Sequence, residues 1–289
     1  MYEMKPFLGV DITENKDNES FNGEEFNIQK PSDAYRESFE KAAENQLELD
    51  KKAKLPLPLR IIQGVTGFAG LIILAGIFKS DLELTEAYNN APVFFWICGA
   101  SLAVWFVLYM LSKKKAKATY SSEEGNLTTS RLDKAMETIF AELGVPETAV
   151  QTDILSFTYK LKDGEIEPKA PPLGTTPFNN LIYRAYIQND CLCLTNLDGR
   201  NEILLEEIKE IRTVKKKIML PEWNKETPYN KGEYKQYKLA ADKGGLIHVK
   251  PYHILVFEHN GTEWGIYFPC YELPTFEKIT GVKAIADIK

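Results

Sequence analysis

Histidine and cysteine are scarce in this 289-residue chain, which contains three of the first and four of the second. On one straight strand His253 and His259 would share a face but lie about 20 Å apart, too far to hold one metal ion. Cys191 and Cys193 are spaced C-x-C, whereas zinc sites usually use C-x₂₋₄-C pairs. The sequence therefore predicts no metal site, and in a cytoplasmic domain the cysteines are expected to be reduced thiols.

Catalytic signatures are also missing. The chain has no G-x-S-x-G elbow, no P-loop and no H-E-x-x-H helix. We therefore expect no catalytic residues and no bound cofactor. Nucleic acid is not expected as a partner, because the net charge is −6 and phosphate contacts need a basic face.

Charge is absent from two long apolar runs, Ile61–Phe78 and Val93–Leu111. An 18-residue helix is about 27 Å long, close to the thickness of the hydrocarbon core of a bilayer. A signal peptide is excluded, since the first run begins some sixty residues into the chain. The sequence predicts a hairpin of two transmembrane helices, at residues 59–79 and 92–112, with an external loop at 80–91.

Neither apolar run contains an ionisable residue, which bears on whether the protein is a transporter or an anchor. Ion paths and proton relays generally need such residues, so the hairpin is predicted to be an anchor rather than a transporter. Small residues let membrane helices approach closely, and in the second run Gly99 and Ala103 have the small-xxx-small spacing, so we expect them to pack the hairpin. The first run carries Gly64, Gly67, Gly70, Ala75 and Gly76, and the second also carries Ala100.

Basic residues mark the ends of the hairpin that the positive-inside rule assigns to the cytoplasm. Between the two apolar runs the only basic residue is Lys79. The rule predicts a multi-pass protein of the plasma membrane with both termini cytoplasmic. The flanking residues serve as topology signals, or each adds about 1 kcal/mol of attraction to the anionic inner leaflet. They are Lys51, Lys52, Lys54, Arg60, Lys113, Lys114, Lys115 and Lys117.

Four further segments surround the hairpin. Residues 1–31 are predicted to be an acidic flexible arm, or one that docks on the later domain through its aromatic side chains. Residues 32–55 form a juxtamembrane helix, and residues 113–127 a basic and polar linker. Residues 128–289 begin with a helix and continue as strands of period two, separated by turns such as Asn260–Gly261. About seven strands predict a small barrel or sandwich, so the fold class is a membrane α-hairpin plus a mainly-β, α+β cytoplasmic domain.

Three short segments add a family resemblance. They are Leu204–Ile211 (LLEEIKEI), Lys215–Lys217 and Gly265–Pro269 (GIYFP). With the two preceding membrane helices they resemble the bacterial pleckstrin-homology-like (PH-like) membrane proteins of the YcxB-like kind. In that family an I-x-x-I turn segment follows a strand, and the last strand runs into a closing helix. The resemblance covers residues 57–285 in layout, and it implies a PH-like fold at a membrane without bringing catalytic residues.

The best candidate interaction surface is Trp223–Tyr237, within the long polar and aromatic loop Leu220–Tyr237. Aromatic residues interleaved with lysines suit a protein partner or a lipid headgroup layer, although a plainly packed loop is an equal alternative. The residues are Trp223, Tyr229, Tyr234, Tyr237, Lys225 and Lys231. The expected function is a non-catalytic scaffold or binding module whose partners are the lipid bilayer and another protein, which can itself be a membrane protein. The alternatives are an accessory subunit of a transporter or envelope-stress sensing complex, and a membrane-bound enzyme with a site in the β domain.

Overall fold

The computed structural model describes residues 9–11, 27–79, 84–157, 159–162, 165–168, 178–242 and 244–285. The chain divides into two compact units. Unit 1 combines Met1–Ser32 with Thr138–Lys289, and unit 2 is the segment between them, Asp33–Glu137. Unit 2 is therefore inserted into the chain of unit 1.

Unit 2 is built from helices. In chain order the helices of the described chain are α1 (Asp33–Ala53), α2 (Leu57–Lys79), α3 (Leu84–Asn90), α4 (Pro92–Tyr120), α5 (Glu123–Glu142) and α6 (Leu273–Thr280). The first four and most of α5 belong to unit 2, and α6 belongs to unit 1.

Helices α2 and α4 are long and apolar enough, by length and composition, to cross a membrane. Only 11% of the most apolar window of each is buried, whereas the core helix of a soluble protein is mostly buried. Large side chains such as Phe68, Phe78 and Trp96 are about 70% exposed, at 69%, 70% and 72%. Helices with apolar side chains on nearly every face need an apolar surrounding, because exposing that area to water is unfavourable.

The contact between α2 and α4 is made by glycines of α2. A Cβ atom at Gly67 would lie 2.6 Å from the Trp105 ring, and one at Gly70 would lie 2.7 Å from Leu102. The Cys98 thiol also donates to the carbonyl of Gly70, at 3.4 Å. The expectation that Gly99 packs the hairpin is wrong, since a Cβ atom there would meet nothing within 4 Å. The spacing of small residues identified a candidate face, but only the helix rotation decides which face is used.

The stretch predicted as a linker, residues 113–127, is almost entirely helical. Helix α4 continues to Tyr120, and only Ser121 and Ser122 separate it from α5. The Ser122 hydroxyl accepts a hydrogen bond from the backbone N–H of Gly125 at 3.0 Å, which caps α5. A Cβ atom on Gly125 would lie 2.3 Å from the carbonyl oxygen of Thr119, so glycine permits this tight corner. Lysine and alanine are good helix formers, which explains why the basic stretch extends α4.

Unit 1 is a mixed sheet domain. Its strands are β1 (Val10–Asp11), β2 (Asn27–Gln29), β3 (Val150–Phe157), β4 (Tyr159–Lys162), β5 (Glu165–Pro168), β6 (Phe178–Gln188), β7 (Cys191–Thr195), β8 (Arg200–Leu204), β9 (Ile208–Val214), β10 (Ile218–Leu220), β11 (Ala240–Ala241), β12 (Ile247–Val249), β13 (Tyr252–His259), β14 (Thr262–Pro269) and β15 (Ala284–Ile285). The main sheet has the order β15-β9-β13-β14-β3-β6-β7-β8-β2, and β1 pairs with β14. A second sheet has the order β10-β12-β11, and β4 pairs with β5.

The predicted α+β class is confirmed, since unit 1 combines a mixed sheet with helix α6. Within the described residues the main sheet does not close, because β15 and β2 lie at opposite ends of its order. Its core is shared by both halves of the sheet and by α6. Fully buried members include Ile154, Leu192, Ile211, Leu255 and Phe276.

The N-terminal arm takes part in this sheet. Val10 lies opposite Gly265 and Asp11 opposite Trp264, while Asn27 lies opposite Asn201. Of the two alternatives for residues 1–31, the described residues of the arm therefore favour docking. Most of the arm, including the aromatic residues expected to mediate docking, lies outside the described residues.

Candidate functional site

The loop predicted as an interaction surface folds onto its own domain. The Trp223 ring meets Tyr234 and Tyr271 edge-on, with centroid distances of 5.0 Å in both cases, and Tyr229 at 6.0 Å. Its indole N–H donates to the carbonyl of Thr227 at 2.8 Å. Edge-to-face pairs of this kind add stability beyond the area that they bury. The loop is therefore held in one conformation by an aromatic cluster.

This aromatic cluster rests on the second core of unit 1. That core consists of Leu155, Ile218, Leu220, Leu239, Ile247, Val249, Tyr252, Cys270 and Tyr271. Trp223, Tyr229, Tyr234 and Tyr237 pack against it and remain half-buried. These rings are half-exposed and rigidly held, so the surface still presents both apolar area and polar atoms to solvent, as predicted for an interaction surface.

Lys225 does not contribute to an outer surface. Its ammonium lies 2.5 Å from the carboxylate of Glu272, and the two side chains are 10% and 3% exposed. The same ammonium donates to the carbonyl of Gln151 at 3.0 Å. Lys231, in contrast, is exposed. Of the two lysines predicted for this surface, one therefore belongs to the interior and one to the solvent.

A second buried carboxylate, Asp153, completes a polar network under the loop. Asp153 is fully buried and accepts hydrogen bonds from the Tyr271 hydroxyl at 2.7 Å and from the Asn224 amide at 3.2 Å. Its backbone N–H donates to the Glu272 carboxylate at 2.9 Å. Asn224 and Lys225 are loop residues, so the network fastens the loop to β3 and to the turn before α6.

Burial sets the protonation states in this network. Burial raises the pKa of Glu272 above its ordinary value, and the Lys225 ammonium opposes that rise. Burial, together with the negative charge of Asp153, raises the pKa of Tyr271 well above its ordinary value, so the phenol stays protonated and donates. The ionised groups satisfy one another, which is what holds buried charges in a fold. The network therefore acts as a structural fastening.

Sequence reasoning missed Asp153, Glu272, Tyr271 and Asn224. One signal was available in the sequence, the carboxylate of Asp153 within a segment that otherwise reads as a strand. Charged residues are seldom buried without a partner, so this position indicated a buried polar contact. The identity of that partner could not be read from the chain, since Glu272 lies 119 residues away.

The three histidines occupy separate places in unit 1. His253 is buried, stacks on Phe268 with a centroid distance of 5.5 Å, and shares a hydrogen bond with Thr213. Burial lowers the pKa of His253 to about 4, so the ring is neutral at physiological pH. His259 contacts Glu207 at 3.1 Å, and His248 contacts Asp242 at 3.4 Å. Across the described residues, no three His, Cys, Asp or Glu side chains are grouped so that they could hold a metal ion.

All four cysteines are buried free thiols. Burial raises the pKa of Cys270 to about 12 and also raises the pKa values of Cys191 and Cys193. Because the thiolate is the reactive form, these protonated thiols are poor nucleophiles and poor metal ligands.

The basic residues predicted to flank the membrane all lie exposed in unit 2. Some also hold its helices together: Lys115 donates to the carbonyl of Lys54 at 2.7 Å, and Lys52 pairs with Glu124 at 2.6 Å. The Lys113 ammonium lies over the Tyr109 ring, 4.8 Å from its centroid. Lys115, in the last turns of α4, thus connects that helix to the residue that follows α1.

Comparisons of this chain with protein-family models, with curated proteins and with solved structures find no match.

Proposed function

We propose that this chain is an integral membrane protein of the plasma membrane that presents a non-catalytic, PH-like binding domain to a protein partner in the cytoplasm. The observation that carries the proposal is the insertion of two helices, each with a long charge-free apolar run, between two segments of one sheet domain. Such an arrangement joins a folded domain to an anchor at two points of the chain.

Strand pairing supports a hairpin topology. Residues 10–11 and 27–29 pair with β14 and β8, so the chain before the insertion and the chain after it occupy one compartment. Two membrane crossings, by α2 and by α4, agree with this pairing and return the chain to the same compartment. The lysines on both sides of the hairpin favour the cytoplasm as that compartment.

The strand arrangement supports a PH-like domain. β14 passes through a short 3₁₀ turn, Cys270–Glu272, into the closing helix α6, as the resemblance implies. The turn after β8 is the 3₁₀ segment Leu205–Glu207, and the two buried isoleucines of the I-x-x-I pattern, Ile208 and Ile211, lie in the following strand β9 rather than in a turn. β14 also contacts β3, where Tyr267 lies opposite Leu155, and this pairing joins the first and last large strands.

The aromatic cluster is the surface that we assign to the partner. Interfaces gain most of their energy from aromatic and arginine side chains that are already held in the bound conformation. The rings of Tyr229 and Tyr234 are fixed by Trp223, and Lys231 lies exposed beside them in the same loop.

The proposal is tested by recovering the partner of the full-length protein in mild detergent. We expect a protein that binds the wild type and is lost from the Lys231→Glu variant, because reversing an exposed rim charge leaves folding intact but opposes association. Lys209→Glu is the matched control, since Lys209 is also exposed but lies on β9 and pairs with Glu258. Equal recovery by both variants would reject this surface. Substrate turnover by the purified chain, abolished by one point change, would reject a non-catalytic role.

A further inference from the structure

A groove of about 510 Å³ lies along the hairpin in unit 2. Arg60 and Gln63 line one end of it, and Phe68, Leu71 and Leu102 line the rest. The α2 residues of this wall recur at spacings of three and four, which places them on one helix face. The groove is therefore polar and cationic at one end and apolar along the remainder.

The other wall of the groove is formed by α4, which also carries the second cation, Lys113. Trp105, which lines the groove, stacks on Tyr109 with a centroid distance of 5.5 Å, and Lys113 lies over Tyr109. Gly67 faces Trp105 and Gly70 faces Leu102, so α2 and α4 run antiparallel. Helix geometry then places Arg60 near the level of Ser112, the residue before Lys113. Neither Arg60 nor Lys113 has an anionic partner among the described residues. Arg60 thus lines the end of the groove, and Lys113 follows Trp105 and Tyr109 toward that end.

We propose that this groove binds one anionic phospholipid, an inference that rests on the membrane anchoring of the proposed function. The lipid phosphate lies between Arg60 and Lys113, and one acyl chain lies along α2 past Gly64 and Gly67 toward Leu71. The guanidinium group matches phosphate geometry, and Gly64 leaves room because a Cβ atom there would meet nothing within 4 Å. An apolar partner helix in the same groove would leave both cations unpaired, so charge complementarity favours the lipid.

The experiment measures lipid binding to the full-length protein in mild detergent by native mass spectrometry. The probes are phosphatidylglycerol, phosphatidylcholine and soluble glycerol phosphate. We expect phosphatidylglycerol to bind about tenfold more tightly than phosphatidylcholine, because both lipids carry the phosphate but Arg60 and Lys113 repel the choline cation of the second. Glycerol phosphate should show no binding, because it lacks the chain that fills the apolar part of the groove.

Two substitutions locate the site. Arg60→Gln should weaken phosphatidylglycerol binding about tenfold by removing the guanidinium contact. Gly64→Leu should abolish binding by filling the groove. The matched controls are Lys114→Gln, which removes a neighbouring charge, and Gly76→Leu, which adds the same side chain to α2 where a Cβ atom also meets nothing within 4 Å. Both controls should bind as the wild type does.

Each contrary result has a distinct meaning. Unchanged binding by Gly64→Leu, or equal binding of the two lipids by the wild type, would overturn the site. Binding of glycerol phosphate as tight as that of the lipid would assign the cations to free phosphate and overturn the lipid. Alkaline carbonate extraction of the cell membranes separates the two proposals. Release of the chain would reject the membrane anchor itself, whereas retention of the chain without lipid binding would reject this inference alone.

Discussion

At the scale of single residues, the ion pair between Lys225 and Glu272 holds the aromatic loop on unit 1. Both side chains are nearly buried, so each charge depends on the other for compensation. The backbone of Asp153 and the carbonyl of Gln151 complete the hydrogen bonding of the two groups. Removing one partner therefore costs more than the pair itself contributes.

Lys225→Met should destabilise the protein by about 3–5 kcal/mol, because it leaves the Glu272 carboxylate buried without a cation. The measurement is urea unfolding of the full chain in mild detergent, followed by tryptophan fluorescence. Lys231→Met is the control, and its free energy of unfolding should stay within about 0.5 kcal/mol of the wild type, since Lys231 is exposed. Equal stability of the two variants would contradict a buried pair.

The pH dependence of this variant gives a second check with a defined sign. Burial raises the folded-state pKa of Glu272 above its unfolded value of 4.5, so the folded state keeps this proton to higher pH than the unfolded state. Stability from this group is therefore lost as the pH rises through the interval between the two pKa values. Lys225 lowers the folded-state pKa of Glu272, so its removal widens the interval between the folded-state and unfolded-state pKa values. The deficit of Lys225→Met should be largest at neutral pH and shrink as the pH falls toward 4.5, and a deficit independent of pH would argue against this cause.

At the scale of elements, two glycines set the approach of α2 to α4. Gly67 and Gly70 leave space for Trp105 and Leu102, and no backbone φ value requires glycine at either position. Gly70 also exposes its carbonyl to the Cys98 thiol. The close packing of α2 on α4 is therefore steric in origin, which is also how small interface residues act in membrane helix pairs.

Gly70→Leu should separate the helices, because its Cβ atom alone would lie 2.7 Å from Leu102. Overpacking of this kind typically costs about 1–3 kcal/mol. The readout is the rate of maleimide labelling at Cys98, which is 4% exposed in the packed hairpin and should react faster once the helices part. Gly99→Leu is the control, since a side chain there meets open space. Equal labelling rates in both variants would show that Gly70 does not determine the contact.

At the scale of the whole molecule, one sheet is assembled from segments on both sides of the hairpin. The segments are separated by Asp33–Glu137 along the chain but pair in the same sheet of unit 1. In the proposed membrane topology these pairings favour an even number of crossings, because both segments of the sheet must lie in one compartment.

The topology can be measured by labelling introduced cysteines in intact cells with a membrane-impermeant maleimide. Glu86→Cys, on the exposed face of the helix between the two spans, should be labelled from outside. Lys231→Cys should be labelled only after permeabilisation. The background is low because the four native cysteines are buried. Labelling of Lys231→Cys from outside would reverse the proposed orientation.

Much of this organisation is determined by the sequence alone. A run of 18 residues without charge predicts a helix that can cross a bilayer, because length and hydropathy are local properties of the chain. The switch to period two after residue 150 predicts the strands of unit 1 in the same way. Both features can be predicted without knowing which residues are in contact in the folded protein.

Tertiary structure alone decided the rest. Lys225 was predicted to lie on a surface but is buried, because it forms an ion pair with Glu272, which is distant in the sequence. The chain order of strands also gave no sign that β1 and β2 complete the sheet. Local patterns set which elements form, whereas contacts between distant residues set which side chains are buried, and those contacts depend on the complete fold.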